Sequence, residues 1–372
     1  MPIDQKKLDG LLTRARREID SGLLPSCQVA VAQDGELVTF EAFGDATTET
    51  RYPMFSCTKA IVASAVWLLI ADGSLKTEQR VVELIPEFGT NGKDAVTVEQ
   101  VMLHTGGFPH APLGHPAWTT REGRLAAFAK WRLNWEPGTR YEYHATSAHW
   151  VLAELIFRIT GQDHRQFIVE RVTGPLGLPR LQVGTPLDDQ DTIATLAVTG
   201  EQATPDELEQ AFGVRELPVT EVTDEALLAW NQPEVRAVGV PGGGGIARAA
   251  DLVLFYQALL HNGAALWPED LLSDVTGRVR NPLPDPMLGV PANRSLGLVL
   301  AGDDGKAGER GFGRTVSAST FGHNGAGGQL AWADPATGVS FCYFTNGLDA
   351  NVLRQGRRGV ALGSLAGSLT EP

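Results

Sequence analysis

A chain of 372 residues, 43% apolar and 20% charged, can bury a substantial core, either as one large domain with an insertion or as two domains. Lysine and arginine number 31 against 44 aspartate and glutamate, and the formal charge of −13 repels phosphate backbones and anionic membrane surfaces, which argues against nucleic acid or a membrane as partner. The three cysteines, Cys27, Cys57 and Cys342, are odd in number and widely spaced, unlike a zinc site or a disulfide framework.

Leu8, Leu11, Leu12, Ala15 and Ile19 recur at helical spacing with charges between them, which predicts an amphipathic first helix and no signal peptide. Together with the cysteines, this predicts a reduced, cytoplasmic protein. Two β-rich segments follow, Cys27 to Gln33 and Glu36 to Phe43, and Asp34-Gly35 between them suits a tight hairpin turn. A helical pattern then runs from Ser56 to Asp72, with Gly73 as its stop. Its apolar run, Ala60 to Ala71, is too short for a membrane span.

From about Lys76 to Trp230, helical patterns such as Val98 to Leu103 and His149 to Thr160 alternate with Gly- and Pro-rich loops. After the glycine run Gly242 to Gly245, a helix is predicted over Ala249 to Leu260. Strands are predicted over Ser295 to Leu300, Gln329 to Ala333 and Val339 to Thr345. Strands at both ends with helices between imply an α+β fold, an antiparallel sheet flanked by helices. The expected division is a discontinuous domain, 1–75 with 231–372, into which a mostly helical domain, 76–230, is inserted. Gln182 to Glu234 is polar and loop-rich, without a clear pattern.

Ser56-Cys57-Thr58-Lys59 is the one S-x-x-K of the chain. Positions three apart share a helix face, so a Lys59 amine can sit beside the Ser56 hydroxyl, and an apolar site lowers a lysine pKa enough for it to take a proton. Alone, the tetrapeptide is weak, since Ser56 can equally serve as an N-cap. Pro137-Gly138-Thr139-Arg140-Tyr141-Glu142-Tyr143 brings two tyrosines into a loop, and Tyr143, eased toward ionisation by the ammonium, is expected to share proton transfer with Lys59. Phe321-Gly322-His323-Asn324-Gly325-Ala326-Gly327-Gly328 precedes the last hairpin, where small residues let a strand approach a substrate closely. The backbone amides of Ser56 and Ala326 are the expected oxyanion donors.

This ordered set, S-x-x-K, P-G-x-x-Y-x-Y and G-H-x-G, resembles the serine β-lactamase and penicillin-binding-protein superfamily. Within it the chain is similar to the class C β-lactamase-like esterases called family VIII carboxylesterases. Val101-Met102-Leu103-His104-Thr105-Gly106-Gly107 and Pro241 to Asp251 are similar to further segments of that family, so the resemblance spans roughly Leu23 to Gly347. It implies the β-lactamase-like fold and a Ser56 acyl-enzyme needing no metal or cofactor. Two departures bear on substrate: the family's Y-x-N reads Tyr143-His144-Ala145, and the lysine of K-T-G is His323. Both weaken recognition of an amide bearing a carboxylate, so a small-molecule ester is the expected substrate, bordered by His323, Asn324, Gly325 and Ala145.

The alternatives are a β-lactamase, D-peptidase or amidase, an acyltransferase, and a binding protein without catalysis. A Ser-His-Asp triad is disfavoured, since there is no G-x-S-x-G and no Asp or Glu spacing around His104 or His110 supports one. Gly242 to Gly245 lacks the Lys-Ser or Lys-Thr of a phosphate loop and reads as a close-packed turn. Cys57 reads as a small buried hydrophobe, and Trp118, Trp131 and Trp135 as core residues or acyl-pocket walls. Oligomeric state has no signature in the sequence.

Overall fold

Leu8, Leu11 and Ala15 form the buried side of α1 (Gln5–Asp20), whose first turn is capped by the Asp4 carboxylate accepting from the amides of Lys6 and Lys7. Strands β1 (Ser26–Gln33) and β2 (Glu36–Gly44) form the expected hairpin, and Asp34 and Gly35 both adopt the left-handed conformation at its turn, φ 53° and 84°. Helix α2 (Thr58–Ala71) is apolar on every side, and twelve of its fourteen residues are buried, as befits a helix at the centre of a core. Later come α3 (Ser147–Thr160), α4 (Ala249–His261), β3 (Val299–Leu300), β4 (Phe321–Gly322), β5 (Leu330–Asp334), β6 (Val339–Thr345) and α5 (Val352–Gly367). The computed structural model describes residues 2–217 and 221–370.

Among the described residues, the largest sheet has six antiparallel strands in the order β2-β1-β6-β5-β4-β3. Strands from both ends of the chain meet at its centre, where Cys27 pairs with Thr345 and Gln33 with Val339. The alternation of side chains along a strand separates two cores. Val29, Val31, Phe341 and Tyr343 pack with α1 and α5 on one face, while Ala30, Ala32, Cys342 and Phe344 face α4 and the core around α2 on the other. The architecture is the α+β arrangement expected from the sequence, an antiparallel sheet flanked by helices.

Between Lys76 and Trp230 lie Val98–Met102, Arg121–Lys130 and α3, linked by short turns and loops. In the poorly patterned stretch from Gln182, Gln182–Val183 joins Tyr52–Pro53 and Gly245–Ala247 in a small sheet, and residues 218–220 lie outside the described residues. Two expectations need correction. The strand over Ser295 to Leu300 shrinks to its last two residues because Ser295 and Leu298 close a turn at Gly297, φ 100°, which lies against Ala63 of α2. Helix α5 had no counterpart in the sequence pattern, because glycines 356, 359 and 363 interrupt it. In the fold, Gly363 lets α5 approach the backbone at Phe312 and Gly313 closely. No helix among the described residues is long and apolar enough to cross a membrane.

Helix α2 is fixed by interlocked indoles. Trp67 Nε1 donates to the Leu296 carbonyl at 2.8 Å, and its ring meets Trp267 edge-on at 6.2 Å, while Trp267 Nε1 donates to the Ser64 carbonyl at 2.9 Å. Replacing Trp67 with Phe leaves the Leu296 carbonyl without its donor and a gap beside α2, so stability should fall by about 2–4 kcal/mol. Urea denaturation checks this; an unchanged midpoint would contradict it.

Candidate active site

Tyr52 and Pro53 pair with Ala247 and Ile246, and the Met54 amide donates to the Gly245 carbonyl at 2.9 Å, so the approach to Ser56 is held by a small sheet. Phe55 then adopts φ 44°, unusual for a residue with a side chain, and its ring packs edge-on against Trp230 at 5.9 Å. The chain enters a short 3-10 turn, Phe55–Cys57, and α2 begins at Thr58, two residues later than expected. Ser56 makes no side-chain capping bond, so the capping alternative falls and the hydroxyl is available for chemistry.

Lys59 Nζ lies 3.1 Å from Ser56 Oγ, 2.7 Å from the Ala145 carbonyl and 2.6 Å from the Gly242 carbonyl. An ammonium donates to all three. A neutral amine donates two N–H bonds to the carbonyls and turns its lone pair to the Ser56 proton, which is the arrangement of a base. Burial, reinforced by the positive charge of Arg294 and opposed by Glu221, lowers the Lys59 pKa to about 7. The two carbonyls come from segments 86 and 183 positions away, so the surroundings of this amine are assembled by the fold.

The Tyr143 ring lies 4.9 Å from Lys59 Nζ and 5.2 Å from the Arg294 guanidinium carbon, and its hydroxyl is buried. Burial pushes the phenol pKa up, and the opposing pulls of Arg294 and the Ser56 hydroxyl do not reverse this. The expected easing of its ionisation is therefore outweighed by desolvation, and Tyr143 is a protonated phenol in the site. His104 packs behind it, ring centres 4.9 Å apart, and accepts from the His144 amide through Nδ1. His110 is exposed and pairs with Glu142 at 2.9 Å.

The segment from Phe321 to Gly328 runs from β4 into a turn beside the nucleophile. A Cβ on Gly325 would overlap the Met54 carbonyl, and the Gly325 amide donates to the Gln329 carbonyl at 2.9 Å. Ser56 and Ala326 both lie in the first turn of short 3-10 stretches, where an amide has no acceptor of its own, and both are partly exposed. The side chains nearby are otherwise engaged. His323 is buried, its Nδ1 donates to the Asn324 carbonyl at 2.8 Å, and its Nε2 accepts from Arg294 at 3.0 Å. Burial and the charge of Arg294 hold the imidazole neutral, its pKa well below the usual histidine range. No donor on His323 is left for a substrate, contrary to the expectation from its motif.

Asn324 is likewise spent on the backbone, donating to the Gly311 carbonyl and accepting from the Ala331 amide. The Ala145 carbonyl serves Lys59 rather than a ligand. Cys57 is wholly buried with its thiol pKa pushed up by desolvation, and Trp131 packs against Phe108 and Phe128 in the core. The turn Gly242 to Gly245 lies beneath the nucleophile, with the Gly245 amide donating to Thr58 Oγ1 at 2.8 Å. Sequence reasoning missed Arg294, which no motif contains, and Gln329, whose side-chain amide bridges the Pro53 and Thr345 carbonyls.

The Lys59 amine beside Ser56 has a pKa lowered to about 7. The amine acts when neutral, so phosphonylation of Ser56 by a fluorophosphonate should be slow in acid and rise through neutrality. The rate of labelling against pH checks this, and a rise only near the ordinary lysine value would contradict it.

The Beta-lactamase family model matches residues 12–364. Over 320 residues, covering 79% of this chain and 69% of the relative, the chain is 29% identical to Esterase/beta-lactamase LipL of Mycobacterium tuberculosis. Among solved structures, a penicillin-binding protein homolog from Caulobacter crescentus superposes with a TM-score of 0.79 at 25% identity, covering 100% of this chain and 99% of that one. A family VIII carboxylesterase superposes with a TM-score of 0.78 at 24% identity, with 98% of each chain covered, a likeness of fold. Matched over nearly its whole length and sharing the fold, this chain belongs to the Beta-lactamase family of serine hydrolases.

Proposed function

We propose that the chain is a carboxylesterase that works through an acyl-enzyme on Ser56. The observation that carries this is the Lys59 amine, held by two carbonyls with its third position 3.1 Å from Ser56 Oγ. Lys59 takes the Ser56 proton as Oγ attacks the ester carbonyl, and the amides of Ser56 and Ala326 receive the developing oxyanion. Collapse breaks the C–O bond to the alcohol. Tyr143 protonates the departing oxygen and recovers a proton from Lys59, and water then releases the acid by the same steps in reverse.

An ester is favoured over an amide because the position that would offer an asparagine side chain is Ala145, and because His323 has no free donor. The name of the LipL relative includes esterase, which supports this assignment. That name also includes β-lactamase, which keeps β-lactam hydrolysis as the second assignment. Three free, buried cysteines fit a reducing compartment such as the cytoplasm.

Hydrolysis of p-nitrophenyl esters from acetate to long acyl chains, beside a chromogenic cephalosporin, tests the choice. Rapid ester cleavage, abolished in Ser56→Ala with folding retained, is expected with little cephalosporin turnover; the opposite preference would make the chain a β-lactamase. Tyr143→Phe keeps the ring and removes the proton, so kcat should fall on the order of a hundredfold or more. Stopped-flow assays of that variant check this, and full turnover would exclude Tyr143 from the relay.

A further inference from the structure

Arg294 stands beside the site in a hairpin that pairs with Arg280 and Asn281, and the residue is only 9% exposed. Its guanidinium carbon lies 5.2 Å from the Tyr143 ring centre and 5.8 Å from that of Tyr141. Nη1 donates to His323 Nε2, Nε is buried without a partner, and no carboxylate pairs with the guanidinium among the described residues. A desolvated cation without a counter-ion is strongly disfavoured. The nearest neutral groups, two phenols and an imidazole, offset this only in part.

We propose that Arg294 is a positioning residue of the proton relay: it holds Tyr143 and His323 in place and supplies fixed positive charge for the Tyr143 oxygen as that oxygen gives up its proton. The inference rests on the acyl-enzyme assignment above. In the step concerned, the Tyr143 O–H bond breaks as the O–H bond of the departing alcohol forms, and a proton from the Lys59 ammonium restores the phenol. Negative charge on the Tyr143 oxygen is thus transient, and Arg294 is placed to meet it without reorganising.

The same charge also acts on Lys59, in the opposite sense for a cation: it disfavours the ammonium and so favours the free base. The other titratable groups around Lys59 are Cys57 on the nucleophile turn, Tyr143 and His149 from the segment opposite, His104, His323 and Glu221. Burial keeps the thiol, the phenol and the three imidazoles neutral. Glu221 is the acidic group of the set, accepts from the backbone amides of Ala145 and Thr146, and favours the ammonium.

The test uses the full chain, with p-nitrophenyl acetate turnover and the pH dependence of Ser56 labelling by a fluorophosphonate as separate readouts. In Arg294→Met the acid limb of labelling should move up by roughly one pH unit as Lys59 regains its proton. Its kcat should drop roughly tenfold or more with KM nearly unchanged. Arg294→Lys, which keeps the charge and loses the planar fork, should leave the limb in place and recover part of kcat. A folded Arg294→Met protein with wild-type limb and kcat overturns the inference. Should that variant not fold, an Arg294→Lys limb displaced as far as a full unit overturns it, and an unmoved limb supports it. Wild-type protein that labels at Ser56 but cleaves no ester would defeat the esterase assignment alone, leaving the labelling arm to judge Arg294.

Discussion

A lysine amine enclosed in the first turn of an otherwise apolar helix is the constraint around which the rest of the molecule is arranged. Lys59 has no carboxylate partner among the described residues, and its Nζ is satisfied by one hydroxyl and two backbone carbonyls. Full hydration would return its pKa toward the ordinary value and silence it as a base at neutral pH. Every wall that excludes water from α2 therefore contributes to the chemistry, including walls that touch no reacting atom.

Distant segments supply those walls and also aim the reacting groups. The Gly242 to Gly245 turn gives one carbonyl to Lys59 and one amide to Thr58, so it fixes the start of α2 from beneath. Gln329 ties the strand before the nucleophile to β6, while its own carbonyl holds Gly325. The two proposed oxyanion amides thus belong to different parts of the chain yet share one set of supports. Such preorganisation means that little has to move when charge appears on the substrate.

Much of this was legible beforehand. The i, i+3 relation of Ser56 and Lys59 follows from helix periodicity alone, and the strand predicted over Val339 to Thr345 coincides with β6. The Asp34-Gly35 turn was equally plain. What local pattern cannot carry is the environment of a side chain. His323 lost its expected role because Arg294, twenty-nine positions earlier in sequence, occupies its free nitrogen. Tyr143 was expected to ionise more readily because a neighbouring cation is visible in the motif, whereas burial, which opposes it and prevails, is visible only in the fold. Helix α5 was obscured for a related reason: its glycines weaken the periodic signal and serve a contact with a loop far away in sequence.

The pairing of β1 with β6 joins residues more than three hundred positions apart. A chain emerging from the ribosome makes the β1–β2 hairpin early, yet one edge of β1 stays open until the three hundred or so residues that separate it from β6 have been synthesised. Contacts of such long sequence separation make folding slow and leave that edge able to pair with other chains in the meantime. Expression at lower temperature, or with chaperones that shield an unpaired strand, should matter more for the yield of this protein than any adjustment of its active site.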